Sequence, residues 1–297
     1  MSGVPDTDSE GAKAPRSVSR RRLLRNWGMA TAGSGVLGYG ALYAPFHPVI
    51  ERITIPVRGL PPAFAGIRVA LLSDLHVQPA FPARHLEPAV ELVGRERPDL
   101  ILLLGDYISD QEPDKLQHMR ACATALRSLA APLGIYAIFG NHDFPVPPDD
   151  PISEPWEAVG IRTLCHEVAE VRRGNESLYL VGLRSALSRP VNPAELLSGL
   201  PTESARIVLW HEPDRARDAA ACGGSLQLSG HTHGGQVVIP GLRPPILPLG
   251  GRRYPSGRFE VDGMPLYVTR GVGLLPPMVR INCPPEVTLM TLTPPAP

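Results

Sequence analysis

Five separated segments of the chain each place metal-binding side chains directly after an apolar run. Their donors are carboxylates, imidazoles and an amide, a mixture that suits first-row divalent cations and includes no thiolate. Donors of these types, in this order, are what two adjacent divalent cations need. The five segments are Asp74-Leu75-His76, Gly105-Asp106, Gly140-Asn141-His142-Asp143, His211 and Gly230-His231-Thr232-His233.

The spacing within the segments favours shared binding of a cation. Asp74 and His76 stand two apart just after a predicted strand, so an extended backbone points both side chains to one face. The His-x-His segment repeats this spacing between glycines that permit close approach of the backbone. Asp106 and Asn141 each follow a glycine at the end of a predicted strand, and ligand sites outside the carboxyl ends of strands are the rule in open α/β sheets.

No single segment would establish a metal site. The Asp-x-His pattern occurs often, and an isolated histidine such as His211 is more commonly packed in a core or exposed on a surface. The complete set carries the interpretation, because every member follows a strand-like run. Four further histidines stand outside the pattern, and we expect no metal role for them: His47, His85, His118 and His166.

The elements that must position these side chains alternate between strand and helix in the first half of the chain. Strands are predicted at residues 52–57, 67–73, 100–104 and 135–139 from their aliphatic runs. Helices are predicted at 84–95 and 115–130 from the spacing of apolar residues and from the prolines that follow. This alternation indicates an α/β sheet with right-handed crossovers.

The second half of the chain is richer in short strands. They are predicted around residue 163 and at 168–172, 178–183, 206–210, 226–228, 237–239, 259–261, 266–269 and 287–292, with a helix at 216–221. The Pro-rich stretch 240–255 is predicted to be a long surface loop, because strands continue beyond it. One domain therefore spans residues 50–297, preceded by a separate N-terminal region at residues 1–49.

Composition excludes some classes of function. Hydrophobic content of 43% and charged content of 20% are ordinary for a globular protein. A formal net charge of zero argues against an extended nucleic-acid surface, which needs a basic face, so we expect no nucleic-acid partner. The four cysteines are widely spaced and form no CxxC pair. We favour buried thiols over one or two disulfides, since free cysteine is among the most buried residue types.

The first fifty residues resemble an export signal. Residues 1–18 are polar and are predicted to be disordered. The segment Ser19-Arg20-Arg21-Arg22-Leu23-Leu24-Arg25 resembles the twin-arginine signal Ser-Arg-Arg-x-Phe-Leu-Lys, with Leu and Arg where the pattern has Phe and Lys. The alternative is a basic helix lying on the domain of a cytoplasmic protein. The signal implies that the twin-arginine export machinery is a partner and that the domain crosses the membrane already folded.

The apolar stretch at 27–44 is near the lower limit for spanning a bilayer. Cleavage after Ala44 would leave the bulky Leu42 three residues upstream of the cut, so we favour a retained N-terminal anchor over removal. Arginines before the stretch stay on the cytoplasmic side, which leaves the domain outside. We therefore expect the protein at the extracytoplasmic face of the cell membrane or in the periplasm or cell wall.

The ordered set of segments resembles the signature of the calcineurin-like metallophosphoesterase superfamily. That signature reads Asp-x-His, Gly-Asp, Gly-Asn-His-Asp/Glu, His and Gly-His-x-His, and all five blocks are intact over roughly residues 50–295. The resemblance implies a four-layer α/β/β/α sandwich of two mixed sheets. It also implies an enzyme that hydrolyses phosphate monoesters or diesters.

The resemblance implies a role for each site residue. Asp74, His76 and His233 would bind a first metal ion, Asn141, His211 and His231 a second, and Asp106 would bridge both. The nitrogen and oxygen donors suit Mn, Fe or Zn. Two such ions lower the pKa of bound water and clamp phosphoryl oxygens during displacement. His142 would donate to the phosphate or to the leaving oxygen, and Asp143 would either orient His142 or serve as a turn residue.

Later motifs resemble the exported or membrane-associated bacterial branch typified by the YkuE and YaeI proteins. They are Gly230–Gln236, Arg253-Tyr254, Tyr267–Gly273 and Pro284-Pro285-Glu286. The branch implies lipid-linked phosphodiesters of the cell envelope, such as phospholipid or UDP-diacylglucosamine-type substrates. The apolar segment 271–279 could face such lipid or pack into the protein, and we favour packing.

Two other functions are weaker alternatives. A non-catalytic metal-binding scaffold on this fold usually lacks some ligands or the catalytic histidine, and none is missing here. A nuclease is disfavoured by the export signal and by the neutral net charge.

Overall fold

The computed structural model of the chain describes residue 31 and residues 33–109, 115–144 and 152–296. Twelve strands are found in these residues, in the order β1 Val49–Pro56, β2 Arg68–Leu72, β3 Leu100–Leu103, β4 Ile135–Ala137, β5 Arg162–Thr163, β6 Glu167–Arg173, β7 Glu176–Gly182, β8 Arg206–Leu209, β9 Leu226–Ser229, β10 Gly257–Val261, β11 Met264–Val268 and β12 Glu286–Thr293. The α-helices that follow β1 are α1 Glu87–Glu96, α2 Lys115–Leu126, α3 Glu154–Glu157, α4 Ala194–Leu197 and α5 Ala216–Ala221.

The strands form two mixed six-stranded sheets. The first has the order β1-β12-β2-β3-β4-β5, and the second has the order β10-β11-β9-β8-β7-β6. In the first sheet, β2 to β5 run parallel and β12 runs antiparallel to β2. In the second sheet, β7, β8, β9 and β11 run parallel, whereas the edge strands β6 and β10 are antiparallel to their neighbours. Each parallel core therefore directs several carboxyl ends to one edge.

Alternating side chains along the central strands divide the core into layers. Val69 and Leu71 of β2 point into the cluster between the two sheets, where they meet side chains of β8 and β9 such as Leu209 and Leu228. Ala70 and Leu72 point the other way, into a cluster shared with α1, α2 and α3. A third cluster packs α4 and α5 on the outer face of the second sheet. This arrangement confirms the predicted α/β/β/α sandwich.

Most predicted elements lie where the sequence places them, and the helix ends differ most. The first turn of the helix predicted at 84–95 is a 3-10 turn, Ala83–Leu86, and α1 follows it. Helix α2 ends at Leu126 rather than at residue 130. The single-turn helices α3 and α4 were not predicted, because four residues are too few to show helical periodicity.

The strand predicted at 237–239 is wrong. Val237 makes only an isolated bridge to Ile281, and the chain then enters the Pro-rich loop at Pro240. A proline has no N–H to continue a ladder, and the partner at 281 belongs to a loop as well.

The N-terminal part of the chain is described only from residue 31. The predicted disordered tail and the twin-arginine motif lie outside the described residues. Residues 33–42 are helical, and the 3-10 turn Ala44–Phe46 connects them to β1. Among the described helices, none has both the length and the apolar character needed to cross a bilayer. All four cysteines are free thiols, and Cys122 and Cys283 are buried.

Candidate metal centre

The structure brings the five sequence segments together. They form the loops that follow β2, β3, β4, β8 and β9, so ligands from both sheets meet at one edge of the sandwich. Carboxylate oxygens and imidazole nitrogens lie within 4.8 Å of one another in three groups. Asp74, His76 and His233 form the first group, Asp106, His211 and His231 form the second, and His76, Asp106 and His142 form a third that links them.

The backbone of these loops is held in an unusual conformation. Five of the predicted ligands have positive φ: 52° at Asp74, 46° at His76, 57° at Asp106, 72° at His231 and 52° at His233. L-residues rarely adopt this region, although Asp and His tolerate it better than most. Each such residue costs on the order of 1–3 kcal/mol, so the surrounding contacts must enforce it. Strain of this kind concentrates at functional sites.

Two glycines let the loops pass close to the carboxylates. A Cβ atom on Gly140 would overlap Oδ1 of Asp106. A Cβ atom on Gly230 would overlap Ser73 Oγ and Asp74 Oδ2. Alanine at either position would therefore displace a predicted ligand.

The first group holds two neutral imidazoles beside a carboxylate. The Nε2 atoms of His76 and His233 lie 3.0 Å apart, and His233 Nε2 lies 3.4 Å from Asp74 Oδ1. Burial, followed by the neighbouring His233, lowers the pKa of His76 to about 3. Burial, followed by Arg280, holds the pKa of His233 well below its usual value. Both rings are thus kept in the form that binds metals.

In the second group, backbone carbonyls select the ligand atom of each histidine. His211 Nδ1 donates to the carbonyl of Leu104 over 2.6 Å, which leaves Nε2 facing Asp106 Oδ2 at 2.9 Å. His231 Nε2 donates to the carbonyl of Leu249 over 2.7 Å, which leaves Nδ1 as the inward atom. A carbonyl oxygen can only accept, so these bonds fix both tautomers and ring orientations.

Asp106 lies between the two groups. Its Oδ2 is 2.9 Å from Nε2 of His211 and 3.7 Å from Nε2 of His76. Its Oδ1 accepts from the backbone N–H of His142 over 2.9 Å. Burial opposes ionisation of this carboxyl, but His211 outweighs it and holds the pKa of Asp106 well below its usual range. The same pairing raises the pKa of His211, against the effect of burial.

The residues fit a metal centre. His231 Nδ1 and Asn141 Oδ1 are inaccessible to solvent and make no hydrogen bond within the described residues. Buried polar atoms of this kind are rare unless an ion or water serves them. The Nε2 atoms of His76 and His233 face each other, and a proton or a cation must lie between two such lone pairs. Nitrogen and oxygen donors without thiolate suit Mn, Fe or Zn.

The two predicted catalytic residues occupy different positions. His142 is partly buried at the edge of the centre, with its ring 5.0 Å from that of His76 and nearly perpendicular to it. Asp143 is fully buried, and its carboxylate accepts from the backbone N–H groups of Asp106 (2.9 Å), Tyr107 (2.9 Å) and Gly140 (2.7 Å). It therefore fastens the loop after β4 to the loop after β3. That Asp143 orients the ring of His142 stays a prediction.

Burial perturbs Asp143 strongly. Burial, followed by the nearby Asp106, raises the pKa of Asp143 to about 7, although its backbone donors favour the ionised form. Two carboxyl groups that are buried close together repel each other when both are ionised.

A cavity of about 360 Å³ opens on the centre. Asn141, His142, His231 and His233 form its polar end. The remaining wall is largely apolar and includes Leu187, Ile246, Leu247, Leu249, Leu275 and Pro276. Sequence reasoning missed this wall, because residues 240–255 read only as a surface loop. The alternation of Ile and Leu with Pro in that loop was the available signal.

A second feature missed from the sequence is Arg280. It is fully buried and donates to the backbone carbonyls of Arg270, Gly271, Gly273 and Cys283. The segment 271–273 in turn donates to the backbone carbonyls at 73 and 74. Arg280 thus positions the loop that backs Asp74. In the neighbouring segment 271–279, Leu274 is buried in the core, which agrees with the favoured interpretation, whereas Leu275 and Pro276 line the cavity.

The other histidines do not belong to the centre. None of the three groups includes His47, His85, His118 or His166. His47 bonds to the carbonyl of Tyr43, and His166 pairs with Glu195.

The chain belongs to the calcineurin-like phosphoesterase family, whose profile matches residues 67–235. This range includes all seven predicted metal ligands and His142. Membership makes the protein a metallophosphoesterase, a hydrolase of phosphoester bonds whose clustered His and Asp residues suit metal binding.

Relatives in bacteria match over most of their length. The metallophosphoesterase YkuE of Bacillus subtilis is 31% identical over 284 residues, which cover 93% of this chain and 98% of YkuE. The phosphodiesterase YaeI of Escherichia coli is 33% identical over 282 residues, which cover 93% and 99%. The UDP-2,3-diacylglucosamine pyrophosphatase LpxG of Chlamydia trachomatis is 24% identical over 307 residues, which cover 82% and 90%.

Proposed function

We propose that the protein is a phosphoesterase with two divalent metal ions that hydrolyses lipid-linked phosphodiesters or diphosphates of the cell envelope. One observation carries the proposal: the cavity that opens on the metal centre is polar at the ligand end and apolar along most of its remaining wall. A phosphate fits the first environment and an acyl chain fits the second. The cavity volume lies within the usual range of small-molecule sites, about 300–1,000 Å³.

The seven predicted ligands divide between two ions. Asp74, His76 and His233 converge on one position, and Asp106, His211 and His231 converge on the other. Asn141, whose buried amide oxygen makes no hydrogen bond within the described residues and which lines the cavity with His231, is assigned to the second ion. Asp106 is the residue within reach of both, which supports its role as a bridge. Mn, Fe or Zn would supply a water of lowered pKa and neutralise charge on the phosphoryl oxygens.

The chain itself supplies a positioned donor. His142 lines the cavity, and its backbone N–H is fixed on Asp106, so its ring stands at the phosphate end without belonging to the seven ligands. A hydrogen bond from His142 to a phosphoryl or leaving oxygen stabilises charge that develops in the transition state. Asp143 holds the backbone beneath it.

The apolar wall supports a lipid-linked substrate. Leu187, Ile246 and Leu249 line the cavity and are also exposed, so the wall continues onto the protein surface. A water-soluble nucleotide would leave these side chains uncovered. LpxG, a relative, is a UDP-2,3-diacylglucosamine pyrophosphatase, and YaeI is a phosphodiesterase.

The substrate class is tested with pairs that share one phosphodiester and differ in acylation. The Mn²⁺-loaded full chain is assayed on bis-p-nitrophenyl phosphate, on a phospholipid and its deacylated glycerophosphodiester, and on a UDP-diacylglucosamine-type lipid. We expect turnover of the chromogenic diester and a higher kcat/KM for an acylated member. Equal kcat/KM values for the phospholipid and its deacylated glycerophosphodiester would exclude the lipid assignment. Loss of all hydrolysis with every divalent metal would exclude the enzyme.

We also infer that the domain is exported by the twin-arginine route and stays tethered at the extracytoplasmic face by its N-terminal stretch. The motif at residues 19–25 and the apolar stretch at 27–44 support this. A reporter fused to residues 1–50 should lose export when Arg20 and Arg21 are both replaced by Lys. Export that survives the double substitution would point to another route.

A further inference from the structure

Exposed apolar side chains are concentrated in two segments. Eleven large hydrophobic side chains are exposed in the described part of the chain, and nine of them lie either in the segment 36–43 or in the loop 239–249. They are Val36, Leu37, Tyr39, Leu42 and Tyr43, and Ile239, Leu242, Ile246 and Leu249. Single exposed apolar residues are normal on a soluble protein, but a concentration of them marks an interaction surface.

Backbone hydrogen bonds hold the two segments next to each other. The N–H of Arg280 donates to the carbonyl of Gly40, at the end of the N-terminal helix (residues 33–42), over 2.8 Å. The neighbouring Ile281 pairs with the start of the loop: its N–H donates to Gln236 over 2.9 Å, and its carbonyl accepts from Val238 over 3.0 Å. Residues 280–281 thus join the helix to the loop, and both belong to one face.

The loop segment of this face contains no acidic residue, and the carboxylate of Asp214 contacts it only through the backbone N–H groups of Arg252 and Arg253. Residues 239–253 contain no Asp or Glu and include Arg243, Arg252 and Arg253, all of them exposed. Leu242, the neighbour of Arg243, is 64% exposed. Aliphatic side chains interleaved with arginines, and without acids, are the composition of segments that lie in the interface of an anionic bilayer. Tyr39 and Tyr43 of the adjoining segment are of the aromatic type enriched at the same depth.

We propose that this face, formed by residues 36–43 and 239–249, docks on the surface of an anionic lipid bilayer. The occupant is lipid rather than protein because the face combines aliphatic tips with exposed arginines and continues into the apolar wall of the cavity through Ile246 and Leu249. The N-terminal helix of this face lies within the stretch predicted to be the anchor. One consequence of docking rests on the proposed function: the metal centre would open toward the bilayer that contains the lipid substrate. The contact itself is independent of hydrolysis.

A probe placed in the loop tests the contact directly. In the full chain, Leu242→Trp puts an indole on the proposed face, outside the cavity wall. The matched control is Arg95→Trp on α1, whose parent side chain is 72% exposed and which lies at the opposite edge of the first sheet, just before β3. Each protein is mixed with phosphatidylglycerol vesicles, with and without brominated acyl chains, and the fluorescence of the parent chain is subtracted.

We expect the emission of the indole in Leu242→Trp to move to shorter wavelength and to be quenched by the brominated chains, and the emission of the indole in Arg95→Trp to do neither. Vesicles of phosphatidylcholine alone should give a smaller quench, because Arg243 and its neighbours contribute through charge. In a second variant, Ile239→Ser with Leu242→Ser, we expect partitioning onto vesicles to fall at least about tenfold. Turnover of bis-p-nitrophenyl phosphate should stay at the parent value.

Several outcomes would overturn the proposal. If the Leu242→Trp protein sediments with vesicles but its added indole is neither shifted nor quenched, the N-terminal stretch alone binds lipid and the loop does not. If the shift occurs without vesicles and depends on protein concentration, the face binds a second copy of the chain. Quenching of the added indole in a protein without phosphoesterase activity would instead sustain the docking and reject the proposed function.

Discussion

At the scale of single residues, two histidines of the centre are oriented by the ring nitrogen that faces away from it. His211 and His231 each donate one ring N–H to a backbone carbonyl, at Leu104 and Leu249. That bond turns the other nitrogen inward, toward the other ligands of the centre. His142 also lies near His76 and Asp106. The proposed assignment uses the seven other side chains as ligands and gives His142, at the cavity, the role of donor.

Replacement of His142 should therefore separate turnover from metal binding. We expect His142→Ala to lower kcat on bis-p-nitrophenyl phosphate by about 10²–10³-fold, the usual effect of losing one donor to a developing charge. Its metal content, measured by elemental analysis, should equal that of the parent. His166→Ala, which removes a histidine paired with Glu195 on the surface, is the matched control and should change neither quantity. A fall in metal content in His142→Ala would make His142 a ligand.

At the scale of elements, buried polar side chains join loops that no strand pairing connects. Asp143, in the loop after β4, accepts from two backbone amides of the loop after β3 and from that of Gly140 in its own loop. Arg280 joins its own segment to residues 270–273, through four backbone carbonyls in all. Both groups are sealed from water, so each is costly to leave without its partners.

Removal of Arg280 should destabilise the domain as well as the centre. Arg280→Met keeps the length and apolar stem of the side chain but removes the guanidinium donor from the carbonyls of Arg270, Gly271 and Gly273, of which Gly271 keeps the backbone N–H of Glu286. We expect the free energy of unfolding to fall by at least about 3 kcal/mol, since several charge-assisted hydrogen bonds are lost together. Urea denaturation of the metal-free protein measures this. Arg95→Met, on the exposed face of α1, should stay within about 0.5 kcal/mol of the parent. Equal midpoints for the two variants would reject the role of Arg280.

The sequence predicts the elements of this fold better than it predicts the contacts between loops. Runs such as 67–73 and 100–104 are locally apolar, so their strands and the ligands just beyond them follow from short-range pattern. The bond from His231 to Leu249 joins residues 18 apart, and the bonds from Asp143 reach back 36 and 37 residues. The spacing of apolar residues along the sequence contains no signal for such contacts. For that reason residues 240–255 read as a plain surface loop, and Val237 as part of a strand.

At the scale of the whole molecule, one edge of the sandwich holds the ligands from both sheets and the cavity. The proposed lipid-binding face adjoins that edge. The ligand loops of β2, β3 and β4 come from the first sheet and those of β8 and β9 from the second. A cation held there fastens the two sheets together at the carboxyl ends of their parallel strands. Stability of the domain and occupancy of the centre should then be linked.

Removal of metal should consequently lower the thermal stability of the entire domain. A ligand that binds only the folded chain stabilises it by RT ln(1 + [L]/Kd), about 2.7 kcal/mol at a hundredfold excess over Kd. We expect calorimetry of the full chain to show a lower Tm after chelation, and the Tm to return with Mn²⁺ in a concentration-dependent manner. Asp106→Asn should lose most of this response, because Asp106 Oδ2 lies near both His211 of the second group and His76 of the first. The matched control, Asp262→Asn at an exposed turn, should keep it. A Tm that is insensitive to chelation, in protein shown to have carried metal, would mean that the centre does not bind the two sheets to each other.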